Sequence, residues 1–141
     1  METATETGAM TAPAAPPRGH SSLDLADLVS LLLSSERPDR DNDLLVHVML
    51  GGPEPLQRAD RARIRASFWL RDGTPAYTGG REALSALAHR RGYRLEYRKD
   101  GDQWHVEARD PASGDRIGVK HALPGIAGIV GIASLVARRT A

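Results

Sequence analysis

Five histidines, nineteen basic and eighteen acidic residues are the groups in this chain that could do chemistry, and cysteine is absent. Without cysteine there is no thiol nucleophile, no disulfide framework and no thiolate zinc site. The histidines show no H-x-x-x-H or comparable spacing, and no phosphate-loop or dinucleotide glycine pattern occurs. No metal and no cofactor are therefore expected. The weak catalytic candidates are Glu96, His105 and Lys120. The stretch YRLEYRKDGDQWHVEARD predicts a hairpin turning at Asp100-Gly101. That turn pairs Tyr97 with Trp104, Leu95 with Val106 and Tyr93 with Ala108, and on the other face Glu96 with His105, Arg94 with Glu107 and Arg98 with Gln103. A third strand, DRIGVKH, could bring Lys120 alongside His105. A carboxylate orienting an imidazole begins general acid–base chemistry. An outward sheet position is a poor place for it, because catalysis needs a concave, water-excluding pocket. The chain therefore reads as non-enzymatic.

Charge is the second source of chemistry. The net charge is only +1, so any attraction to a partner must come from local distribution. Arginine supplies all the cationic side chains except Lys99 and Lys120, as a GC-rich bacterial genome would encode. Strict alternation from Ala62 to Arg71 reads as a half-buried strand, with Ala62, Ile64, Ala66, Phe68 and Leu70 inward. Its other face carries Arg63, Arg65, Trp69 and Arg71. Added to the outward residues of the hairpin and third strand, this gives Arg63, Arg65, Arg71, Arg94, Arg98, Arg109, Arg116 and Lys120 against Glu96 and Glu107. The candidate partner-binding set is Arg63, Arg65, Trp69, Arg71, Arg94, Arg98 and Arg116, a guanidinium-rich face with an interleaved aromatic.

The elements that must position these groups follow from periodicity. METATETGAMTAPAAPPRGH, residues 1–20, has no apolar period and reads as a disordered tail without a signal peptide, with Met1 or Met10 as alternative starts. A cytoplasmic location is the default expectation. Ser21 and Asp24 have capping-box spacing before a helix with Leu25, Leu28, Val29 and Leu32 on one face, ended before Pro38. DLLVHVML reads as a strand apolar on both faces, with His47 a satisfied core residue. Residues 53–61 are a loop or short helix, and Pro75-Ala76-Tyr77 a short edge strand. Gly79-Gly80-Arg81 opens a helix, REALSALAHRR, that ends at Gly92 and offers free N–H groups to an anion. The run ALPGIAGIVGIASLVARR predicts a C-terminal helix over 122–139 with a stripe at Gly125, Gly128, Gly131 and Ser134, as close helix packing would require. Sixteen uncharged residues reach about 24 Å, short of a bilayer core of about 30 Å. Core helix, partner groove and shallow membrane contact remain open for it. The expected fold is α+β, an antiparallel sheet of β-meanders with helices before, between and after the strands, roughly α-β-β-β-α-β-β-β-α. Residues 21–141 form the single domain.

From Arg81 onward the order is α-β-β-β-α, and LAHRRGYRLEYR resembles the first helix and first strand of the double-stranded RNA-binding domain. That family opens its second helix with a phosphate-gripping lysine cluster, where this chain has His121-Ala122-Leu123-Pro124-Gly125. Read as alternating helices and meanders, the chain is also similar to small secretion chaperones, which would imply a protein partner. GREALSALA after a short strand resembles the cone fold of nuclear-transport-factor type, which would imply a ligand pocket. The expected function is a non-enzymatic accessory protein binding a macromolecule, first a protein, alternatively nucleic acid. Contact is through the basic sheet face or the apolar C-terminal helix, and a small cone-fold enzyme or ligand-binding protein is the further alternative.

Overall fold

The apolar C-terminal run is the centre of the molecule. In the computed structural model, which describes residues 22–52, 54–67 and 72–140, it forms α5 (Pro124–Thr140). Ile126, Ile129 and Ile132 are fully buried, and burial runs from Gly125 to Val136 with only Ser134 half-buried. A helix that is apolar all round must be covered all round. The sheet formed by β3 (Arg94–Asp100), β4 (Gln103–Arg109) and β5 (Arg116–His121) covers one side, with α1 (Leu25–Leu33) and α4 (Glu82–Arg91) packed on others. The glycines allow this approach: a Cβ at Gly125 would lie 2.5 Å from the Tyr77 carbonyl oxygen, and one at Gly131 2.8 Å from the Ala108 Cβ. The groove-filling and membrane readings of 122–139 give way to a core helix, and no described helix is long and apolar enough to cross a membrane.

The fold is α+β with antiparallel sheets and interspersed helices, in the order β1 (Ser22–Asp24), α1, α2 (Arg40–Leu50), β2 (Arg58–Asp60), α3 (Arg61–Ala66), α4, β3, β4, β5, α5. Two separate sheets form, β1-β2 and β3-β4-β5. The second α-β-β-β-α unit stands as expected. The first does not: DLLVHVML is helical, as α2, and 61–66 is helical, as α3, while 75–78 is loop and turn. An apolar run on both faces cannot separate a buried strand from a buried helix. Here Asp39 decides it, its carboxylate accepting the Asp41 and Asn42 N–H groups as N-cap. Asp60 does the same for α3, accepting the Arg63 N–H at 3.3 Å, in a segment rich in the helix formers Ala and Arg. The capping box of α1 uses Asp24 and Asp27, each carboxylate accepting the other's N–H. Ser21, the expected tail 1–20, Trp69 and Arg71 lie outside the described residues.

A polar cluster ties the helices to the 74–78 loop. Asp43, 1% exposed, accepts the Thr78 N–H and hydroxyl, both at 2.7 Å, and pairs with Arg40 at 2.8 Å. Arg40 also donates to the Thr74 carbonyl. His47 sits on α2 with Nδ1 hydrogen-bonded at 3.0 Å to the Tyr77 hydroxyl, whose pKa burial raises. Arg90 donates to the Gly51 carbonyl, and Arg91 to those of Leu50 and Gly52, closing the C-terminal end of α2 from α4.

Candidate binding face

The sheet has two unlike faces. Leu95, Tyr97, Val106, Ala108, Ile117 and Val119 turn inward to α4 and α5, as the alternation requires. At the hairpin end of this inner face the Arg81 guanidinium lies 5.2 Å from the Tyr97 ring centroid and 5.3 Å from that of Trp104, while Lys99 approaches Trp104 at 5.3 Å. Burial raises the Tyr97 hydroxyl pKa, with Arg81 opposing.

The register differs from the expected one by a displaced turn. Gly101 has φ 62 and takes the first central position, with Asp102 second, so Asp100 pairs with Gln103. The loop moves one residue along, which changes every partner by two and leaves each side chain on its expected face. Tyr97 now faces Val106 and Leu95 faces Ala108, while Glu96 faces Glu107 and Arg98 faces His105. Lys120 stands beside His105 as expected, while Glu96 is displaced to a diagonal position and shares one shallow cavity with His105. His105 stands between Arg98 and Lys120, with its ring over Gly118, and Lys120 pairs with Asp100 at 3.4 Å. No carboxylate stands opposite to orient the imidazole.

The corrected register instead orders the outer face into rows. Arg94, Arg109 and Arg116 sit side by side on three neighbouring strands. Glu96, Glu107 and Gly118 form the next row, then Arg98, His105 and Lys120. Among the described residues no ion pair or hydrogen bond engages the side chains of the three arginines in the first row, and no helix packs on this face. A cavity of about 600 Å³ opens at the end of the row, lined by His89, Tyr93, Arg94, Leu95, Glu96 and Arg109 among others. A shallower one of about 190 Å³ follows along Glu96, Tyr97, Arg98, His105 and Glu107.

No known family model, curated protein or solved structure matches this chain.

Of the sequence-predicted partner residues, Arg94, Arg98 and Arg116 come together on this face. Arg63 does not; it lies exposed on α3, outside the three-stranded sheet, because residues 61–66 are helical. The Arg65 side chain lies outside the described residues. Arg109 is legible in the alternation but gains its significance from the register, which sets it between two other arginines. His89 faces the same cavity from α4, and nothing in its spacing marks it. No group of histidines and carboxylates among the described residues could hold a metal ion.

Proposed function

We propose that this protein binds an acidic macromolecular partner, a protein, through the outer face of the β3-β4-β5 sheet. The observation that carries the reading is the Arg94–Arg109–Arg116 row. Like charges directly opposite on neighbouring strands are destabilising by a few tenths of a kcal/mol to about 1 kcal/mol per pair. Three guanidiniums in line, with no carboxylate engaged, therefore weaken the free protein and are relieved by an external anion. Guanidinium forks match carboxylates in bidentate geometry. The described part of this face carries a single ring, the His105 imidazole, and no Trp, Tyr or Phe for bases to stack on, since Tyr97 and Trp104 turn inward. That favours an acidic protein surface over single-stranded nucleic acid.

The test compares fluorescent poly-L-glutamate with a single-stranded oligonucleotide as probes of the full chain at low salt. Wild type is expected to bind poly-L-glutamate. The triple variant Arg94→Gln/Arg109→Gln/Arg116→Gln should bind it at least about tenfold more weakly, at about 0.5 kcal/mol or more per lost contact. The same variant should unfold at an equal or higher temperature, because the repulsion is gone. Undiminished binding by the variant, or none by wild type, refutes the reading. Preference for the oligonucleotide through the same three arginines would move the partner to nucleic acid.

A further inference from the structure

Strand β3 is an edge of its sheet, paired with β4 on one side only. A two-residue loop closes on a hydrogen-bonded pair, so Asp100, Arg98, Glu96 and Arg94 exchange ladder bonds with β4. The N–H and C=O groups of Leu95, Tyr97 and Lys99 then point away from the sheet. Among the described residues no backbone bond from another element meets them. The two cavities share Glu96 and open over the β3–β4 surface, lined also by Arg109, His105 and Glu107, so they leave the free edge itself uncovered. An open edge is a template for another strand.

We propose that an extended acidic segment of the partner adds antiparallel to β3, extending the meander to a fourth strand. This deepens the reading of the outer face and rests on it. Charge selects the occupant. Outward side chains on β3 read Arg94, Glu96, Arg98, so an added strand meets cation, anion, cation at every second residue. Its complement is acid at i, base at i+2 and acid at i+4. Residues i+1 and i+3 fall beside the half-buried Leu95 and Tyr97 and are apolar. A second copy of β3 centred on Glu96 would set Glu96 against Glu96 and Arg94 against Arg98, but one centred on Tyr97 would set Glu96 against Arg98 and Arg94 against Asp100. Dimerisation of the free chain in analytical ultracentrifugation would therefore overturn the partner segment as occupant. Main-chain bonds give such a complex its affinity and alternate side chains its specificity.

The experiment uses end-capped peptides with the core Glu-Val-Lys-Val-Glu and the full-length chain. Three comparisons read the geometry. N-methylation of both valines, whose amides face β3, should weaken binding about tenfold, at about 0.5–1 kcal/mol for each lost hydrogen bond. N-methylation of the lysine, whose amide faces away, should change it less than twofold. The shuffled core Glu-Val-Glu-Val-Lys, with the same charge, should bind about tenfold more weakly. Bound peptide should also slow amide exchange at Leu95, Tyr97 and Lys99 and leave Glu96 and Arg98 unchanged. Equal binding of the valine-methylated peptide overturns strand addition and leaves the acid-binding face standing, as does poly-L-glutamate binding without peptide binding. If neither probe binds, the reading of the face falls as well.

Discussion

Replacing three glycines of α5 by alanine, one at a time, separates close packing from helix propensity. Away from contacts Gly→Ala in a helix stabilises by about 0.8–1 kcal/mol. At Gly125 the new Cβ meets backbone: the Tyr77 carbonyl oxygen at 2.5 Å and the Thr78 carbonyl carbon and oxygen at 3.0 Å. That loop cannot recede freely, because Thr78 is tied to Asp43 and Asp39. Overpacking of this kind costs about 1–3 kcal/mol, and a first-turn position recovers little from propensity. Gly125→Ala should lose about 1.5–3 kcal/mol. At Gly131 the obstacle is the Ala108 Cβ at 2.8 Å, fixed to the middle strand, and the two effects oppose, leaving a loss of about 0–2 kcal/mol. At Gly128 the nearest atom is the Leu84 Cδ1 at 2.8 Å, the far end of a rotatable side chain. Propensity wins there, with a change between about zero and 1 kcal/mol of stabilisation. Urea unfolding followed by far-ultraviolet circular dichroism gives the three differences, provided the dependence on urea stays constant. A Gly125→Ala protein as stable as wild type, or an order with Gly128→Ala the worst, would refute the seating of α5 against the 77–78 backbone.

Asp43→Ala should lower stability by about 3–5 kcal/mol in the same assay, because the buried Thr78 N–H loses its acceptor and the Thr78 hydroxyl and Arg40 each lose a partner. Asp43→Asn should lose less, keeping one acceptor oxygen, and equal losses would argue against the hydrogen bonds as the cause. Tyr97 is held above the ordinary phenol range, so above about pH 10 the native chain binds more protons than the unfolded one. The corresponding stability is complete below about pH 10 and is lost as pH rises through the native value. Tyr97→Phe should leave stability near neutral pH unchanged or slightly higher, its hydroxyl being buried without a partner, and should flatten the alkaline fall; an identical pH profile refutes the assignment.

Face membership in the meander was legible because period-2 alternation survives a shift of the turn: Tyr97, Val106 and Ala108 face inward under either register. The partners were not. Asp100-Gly101 and Gly101-Asp102 both supply a glycine to a two-residue loop, and only the backbone decides which is used. Residues 62–66 show the converse error. Ala-Arg-Ile-Arg-Ala alternates as a strand does, yet its residues favour helix and Asp60 caps it, so composition and cap outweighed the pattern. The basic character of the sheet face could be read from Arg94, Arg98 and Arg116. The row of three could not, since it depends on which residue stands beside Arg109. The α5 segment announced a close packing partner through its glycines without naming it, and the Tyr77–Thr78 backbone is far away in sequence.

The contact between α1 and α5 has a consequence for the order in which the molecule assembles. Residues 34–123 lie between these two helices and form a closed loop once they meet. Closing a loop of that length is entropically costly, and the cost is met before the buried leucines and isoleucines reward it. The β3-β4 hairpin, closed by two residues, has no such delay and forms on its own clock. The meander is thus the part of the chain positioned to organise first, with its apolar side waiting for α5. The main surface that α1 docks against is α5, so the two ends of the described chain come together after α5 has settled on the sheet.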